Sequence, residues 1–303
     1  FYAATIFLSA FLLFLVQPLL ARLILPWFGG TAAVWTTCML FFQSALLAGY
    51  AYAHGTNAKL RPRVQAVLHT VLLGVALATL PIAPDESWKP RGDESPALHI
   101  LLLLAATVGL PYLLLSATSP LLQAWFARVR PAANPYRLFA ISNLASLLAL
   151  IGYPLVVEPF LGNHDQVSLW SGLFAVFALL CAALSWQAAT AVPSAAGGAT
   201  ADDQLVVVPR RADYLLWLAL SAAGSVLLLA VTNHITQNVA AIPLLWLAPL
   251  TLYLLTFIIA FEGRGWYRPG IAWTFVLVWI GGMLWLLVDP SHQFDLWLQL
   301  GVY

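Results

Sequence analysis

The chain has 303 residues, 62% of them hydrophobic and only 8% charged, with a net charge of +1 and a mean hydropathy of +0.87. A soluble domain carries roughly a quarter charged residues, so this composition cannot cover a water-facing surface. The few charges are dispersed, which excludes a nucleic-acid footprint, and Cys38 and Cys181 belong to no CxxC or Cys/His cluster, which leaves a zinc site, a c-type haem and a disulfide framework without support.

A spanning helix needs about 20 mostly apolar residues. Read between breakers, the sequence predicts spans near 2–25, 32–53, 64–83, 97–126, 137–157, 168–189, 213–232, 241–261 and 270–288, with a tenth beginning near 294. The expected fold is an all-α polytopic transmembrane bundle. Pro111 and Pro120 predict a kink or break in the fourth span, because proline lacks the N–H that a helix interior needs. Phe1 and Tyr303 both lie in apolar runs, so the natural protein is expected to continue past them.

Ten of the thirteen basic residues fall in alternate connections, 54–63, 127–137, 190–212 and 262–269. The positive-inside bias assigns these to the cytoplasm and places the amino terminus inside. Eight of the twelve acidic residues fall on the opposite side. The 190–212 connection contains Val192-Pro193-Ser194-Ala195-Ala196-Gly197-Gly198, the composition of a flexible linker. Residues 1–189 then form a six-helix half and 213–303 the start of a second. Six helices, an inner linker and further helices are the layout of a major-facilitator-type transporter.

Polar groups inside hydrocarbon are costly and mark the bundle interior or a wet cavity. Gln17 and Arg22 in span 1, Gln43 in span 2 and Asn143 in span 5 are such groups, and Glu158 closes span 5. Two readings of Arg22 and Glu158 stand side by side. Either they snorkel separately to the interface, or they face one another across an outer-half pocket. Each lies about 20 residues from an inner helix start, or roughly 30 Å along the axis. The densest polar run, Thr232 to Asn238, offers Asn233, His234, Gln237 and Asn238, either as a turn or as part of that pocket. Gln17, Gln43 and Asn143 serve as helix-to-helix hydrogen bonds on one reading and as cavity contacts on the other. His69 and His99 sit at different depths and read as structural. No catalytic constellation, metal cluster or nucleotide-cradling loop is legible, and no cofactor is called for.

Several blocks carry a resemblance: Val16-Gln17-Pro18-Leu19-Leu20-Ala21-Arg22, Pro26-Trp27-Phe28-Gly29-Gly30, Ala117-Thr118-Ser119-Pro120-Leu121-Leu122-Gln123, Asn134-Pro135-Tyr136-Arg137-Leu138-Phe139-Ala140-Ile141-Ser142-Asn143 and Thr232-Asn233-His234-Ile235-Thr236-Gln237. Together they resemble the membrane module of bacterial fused transporter-like/spermidine synthase proteins. The resemblance implies a multi-span module followed by a Rossmann-like aminopropyltransferase domain beyond residue 303; the expected role of the chain is an inner-membrane module that anchors such a domain and channels a small polar or cationic metabolite for it. None of that domain's chemistry maps onto residues of this chain. Two alternatives remain: a free-standing small-molecule transporter, and a non-transporting subunit held among other membrane subunits. Gly55-Thr56-Asn57-Ala58-Lys59-Leu60-Arg61-Pro62-Arg63 keeps the glycine and basic residues of the major-facilitator inner loop but lacks its acid.

Overall fold

The computed structural model describes residues 1–29, 32–90, 95–130, 136–191, 209–234, 247–262 and 268–288. All regular structure among them is helical. The helices are α1 (Tyr2–Phe28), α2 (Ala32–Lys59), α3 (Pro62–Ala78), α4 (Pro96–Val129), α5 (Tyr136–Gly152, continued through Tyr153–Val157 to Glu158–Phe160), α6 (Asn163–Thr190), α7 (Arg211–His234), α8 (Leu247–Glu262) and α9 (Pro269–Val288). The chain divides into two compact units, Phe1–Ser194 and Ala195–Tyr303.

In the first unit α1 is the central element. Ile6, Leu12, Val16, Leu20 and Ile24 recur at helical spacing and are fully buried, so one face of α1 packs on α4, α5 and α6. Polar cross-links fix these contacts. The Trp170 indole N–H donates to the Leu12 carbonyl at 3.0 Å, and the Gln17 amide donates to the Tyr112 hydroxyl at 3.2 Å. Pro18 and Pro26 both lie inside α1. Gly29 ends the helix with φ of 83°, a left-handed conformation that glycine adopts without the steric penalty of a Cβ, and its N–H closes on the Leu25 carbonyl at 2.8 Å.

The second helix pair, α2 and α4, approaches closely at Gly49. A Cβ there would overlap the Ser116 hydroxyl and come within 2.8 Å of the Leu113 carbonyl oxygen. Small residues at such crossings let membrane helices exchange dispersion contacts over more of their length.

In α3 the usual polarity of a soluble helix is inverted. Gln65 and His69 are 1% and 0% exposed, while Val64, Val67, Val71 and Val75 lie open on the other face. An element that hides its polar groups and displays valine suits an apolar solvent.

The fourth span, expected to kink or break, does not break: the helix is continuous, with a local change of winding. α4 runs through a π turn at Ala105–Gly109 directly before Pro111, and Pro120 lies within regular helix. Pro111 has no N–H to offer the carbonyl four residues back, and a wider turn redistributes the partners. The Thr107 hydroxyl contributes by donating to the Leu103 carbonyl at 2.8 Å. A second π turn, Tyr153–Val157, contains Pro154 of α5.

Among the described residues five helices are long and apolar enough to cross a membrane: Tyr2–Phe28, Pro96–Val129, Leu138–Phe160, Asn163–Thr190 and Arg211–Asn233. This is fewer than the nine expected spans. α2 is not among the five, and the apolar stretches Pro62–Ala78 of α3, Pro249–Ile259 of α8 and Pro269–Trp285 of α9 are shorter. The tenth span expected near 294 lies outside the described residues, as does 192–208 of the expected linker.

The connection between α3 and α4 carries a short 3-10 turn, Glu86–Trp88, started by the Asp85 carboxylate accepting from the Ser87 N–H at 2.9 Å. That hydrogen bond holds the Asp85 carboxyl below its ordinary range. Trp88 then offers its carbonyl to His99 at 2.8 Å, and the Lys89 ammonium sits 5.7 Å over the Trp27 ring. In the second unit α7 packs against α8, and Tyr253 of α8 stacks edge-on against Phe257 one turn later, with ring centroids 4.8 Å apart.

Candidate functional site

Arg22 lies six residues before the end of α1, about 9 Å along the helix axis. Glu158 opens the last turn of α5. Because α1 and α5 pack against each other, these two charges meet. The Arg22 Nη1 donates to the Glu158 backbone carbonyl at 3.2 Å and stands 3.9 Å from the Glu158 Oε1. The two side chains are 36% and 40% exposed, so neither is sealed in the core. The two residues sit side by side rather than on opposite sides of the bundle.

The carbonyl contact anchors the guanidinium, while the charge-to-charge contact is long for a hydrogen bond. Both groups therefore keep unused capacity. Beside them lies Tyr153, in the π turn of α5. It is 2% exposed, and its hydroxyl has no hydrogen-bond partner. Arg22 and Glu158 are both within electrostatic reach of this hydroxyl, but the guanidinium stops short of hydrogen-bond geometry. The neighbouring Gly152 faces open space. The loose ion pair and the buried Tyr153 hydroxyl lie together at the carboxyl-terminal ends of α1 and α5. Tyr153 carried no signal in the sequence, because tyrosines near span ends are common interface residues.

The other expected site residues distribute as follows. Gln17 is half-buried and bonded to Tyr112, and Asn143 is half-buried with its Nδ2 enclosed and lacking a partner. Gln43 is not interior. The register of α2 turns Phe42 into the core and leaves Gln43 exposed. Asn233 is exposed near the end of α7 and His234 is its last residue; the His234 side chain, Gln237 and Asn238 lie outside the described residues. A cavity of about 280 Å³ opens where α1, α2 and α4 end, lined by Phe28, Val34, Thr37, Ser95 and Ile100 among others, and it includes none of the expected site residues.

A larger polar cluster sits deep in the same unit, at the end of the bundle opposite Glu158. His69 of α3 lies between the Tyr52 hydroxyl, 3.1 Å from Nδ1, and the Cys181 thiol, 3.3 Å from Nε2. Its ring stacks on Tyr52 and meets Trp125 edge-on. The Trp125 indole N–H donates to Gln65 at 3.1 Å, and the Gln65 amide donates to Thr56 at 3.4 Å. Residues from four helices thus satisfy one another in the dark, which fits a structural histidine. Its partners were invisible in the sequence because they come from three other helices. Among the described residues no group of three His, Cys, Asp or Glu side chains could hold a metal ion.

Comparison of the chain with protein families, with curated proteins and with solved structures finds no match.

Proposed function

We propose that the chain is the multi-pass module of a bacterial inner-membrane protein with a major-facilitator-like architecture. It crosses the bilayer nine times with its amino terminus in the cytoplasm. It passes a small polar or cationic metabolite and, as the sequence resemblance implies, anchors a spermidine-synthase-like domain. The observation that carries this reading is the Arg22–Glu158 pair. Ionisable side chains within apolar segments are expensive, and the common reason to keep them is a solute or ion pathway. The half-open geometry leaves the pair able to exchange partners with a solute.

The test is uptake of radiolabelled small polar solutes, with a neutral amide, the zwitterion O-phosphoethanolamine and putrescine measured in parallel, into proteoliposomes containing the full-length protein; accumulation of any one supports the reading. Time-dependent accumulation that Glu158→Gln abolishes is the expected result. Accumulation no greater than in empty liposomes for every solute would remove the transport role.

A second reading, a non-transporting subunit of a larger membrane assembly, is favoured by one feature of α7. None of the residues in its most apolar window is buried, so it leaves apolar side chains exposed outside its contact with α8. A helix of that kind suits lipid or neighbouring chains. Co-purification of stoichiometric membrane partners in mild detergent would favour this second reading.

A further inference from the structure

We propose that Arg22, Tyr153 and Glu158 form a binding site for a small zwitterionic group, an anion and an ammonium carried a few ångströms apart. This deepens the preceding proposal and rests on its reading of the Arg22–Glu158 pair as a solute site. Three observations point to it. The pair is loose, with 3.9 Å between the charged atoms, and both side chains are about one-third to two-fifths exposed. The Tyr153 hydroxyl is buried, lies beside both charges and has no hydrogen-bond partner. It is held there by a π turn around Pro154, a distortion frequently found at functional sites.

The choice of ligand follows from the charges. A dication drawn to Glu158 would meet the Arg22 guanidinium about 4 Å away, and an isolated anion drawn to Arg22 would meet the Glu158 carboxylate. A molecule bearing both signs satisfies both residues without displacing either. Its anion takes the guanidinium donors that Glu158 leaves unused and the Tyr153 O–H. Its ammonium takes the free carboxylate oxygens. Burying an unsatisfied hydroxyl beside a charge pair is unfavourable until something completes the set.

Two sources supply this chemistry. One is a free solute such as an amino acid or phosphoethanolamine. The other is the headgroup of phosphatidylethanolamine, which would reach a site about 9 Å below the end of α1 from the adjoining leaflet.

Binding is measured on the purified full-length protein, with O-phosphoethanolamine as the soluble probe and nanodiscs with or without phosphatidylethanolamine as the lipid probe. Putrescine and inorganic phosphate are the single-sign controls. The expected result is saturable binding of a zwitterion at least tenfold tighter than either control. Arg22→Gln and Glu158→Gln each weaken it at least tenfold. Tyr153→Phe weakens it roughly threefold or more while leaving the fold intact, because no partner in the protein meets hydrogen-bond geometry at this hydroxyl. Binding of free O-phosphoethanolamine identifies a solute site; a stabilising shift confined to phosphatidylethanolamine discs identifies a headgroup site. The proposal is overturned by unchanged affinity in Tyr153→Phe, by putrescine or phosphate binding as tightly as the zwitterion, or by no response to either zwitterionic probe. Putrescine uptake in the absence of zwitterion binding would overturn only this inference; zwitterion binding without uptake of any solute would overturn only the transport role.

Discussion

The His69 imidazole and the Cys181 thiol, 112 positions apart in the chain, lie 3.3 Å from one another in the fully buried seam between α3 and α6. The Tyr52 hydroxyl occupies the other ring nitrogen, so one histidine ties α2, α3 and α6 together. Replacing it by alanine would orphan both partners and leave a cavity beside Trp125. His69→Ala is expected to destabilise the first unit by roughly 2–4 kcal/mol, combining a large-to-small cavity with two lost interhelical hydrogen bonds. Thermal unfolding in detergent micelles checks this. His69→Gln, which keeps a donor and an acceptor, should recover part of the loss; a melting temperature unchanged in His69→Ala would refute the clasp.

Gly49 governs how closely α2 and α4 approach. Gly49→Ala is expected to cost roughly 1–3 kcal/mol through overpacking. Ser116→Ala in the same chain should relieve only part of that cost. The Leu113 carbonyl oxygen, 2.8 Å from the added Cβ, cannot be mutated away. Full rescue by Ser116→Ala would show that the side chain alone sets the approach.

The turn at Glu86–Trp88 should respond to acid. Asp85 has its carboxyl held below the ordinary range by the Ser87 N–H. A carboxyl lowered in the folded state stabilises its turn above the unfolded value of about 3.9. That contribution is lost as pH falls through the lower, folded value. The Ser87 amide resonance followed by NMR should therefore titrate with a midpoint below 3.9. A midpoint at or above that value would remove the cap.

Sidedness can be tested by thiol labelling. The Arg128 guanidinium donates to the Asn57 side-chain oxygen at 3.0 Å, which puts the carboxyl-terminal ends of α2 and α4 together. Their connections should share the cytoplasmic side with their basic residues. Single cysteines at positions 60 and 130, in a chain with Cys38 and Cys181 replaced, should resist an impermeant maleimide in intact cells. A cysteine at position 87 should react. Labelling of position 60 from outside would invert the topology.

Composition and hydropathy alone determined that the chain is helical, with segments able to cross a membrane, since uninterrupted apolar runs of about 20 residues match a spanning helix rather than the shorter alternating strands of a barrel. Residue counting also placed Arg22 and Glu158 at one depth, because helical rise converts position into distance. Which way each helix turns was a tertiary decision. In a soluble helix the polar stripe reveals the outer face, but here lipid-facing and core-facing positions are both apolar, so Val71 and Leu73 look alike in sequence although only Leu73 is buried. The same ambiguity hid the exposed Gln43, the partners of His69 and the close approach at Gly49. Tyr153 became part of a site only when the π turn of α5 and the packing of α1 on α5 brought its hydroxyl beside two charges, a juxtaposition built from residues more than 130 positions apart. Local composition chooses the solvent; packing between helices chooses the partners.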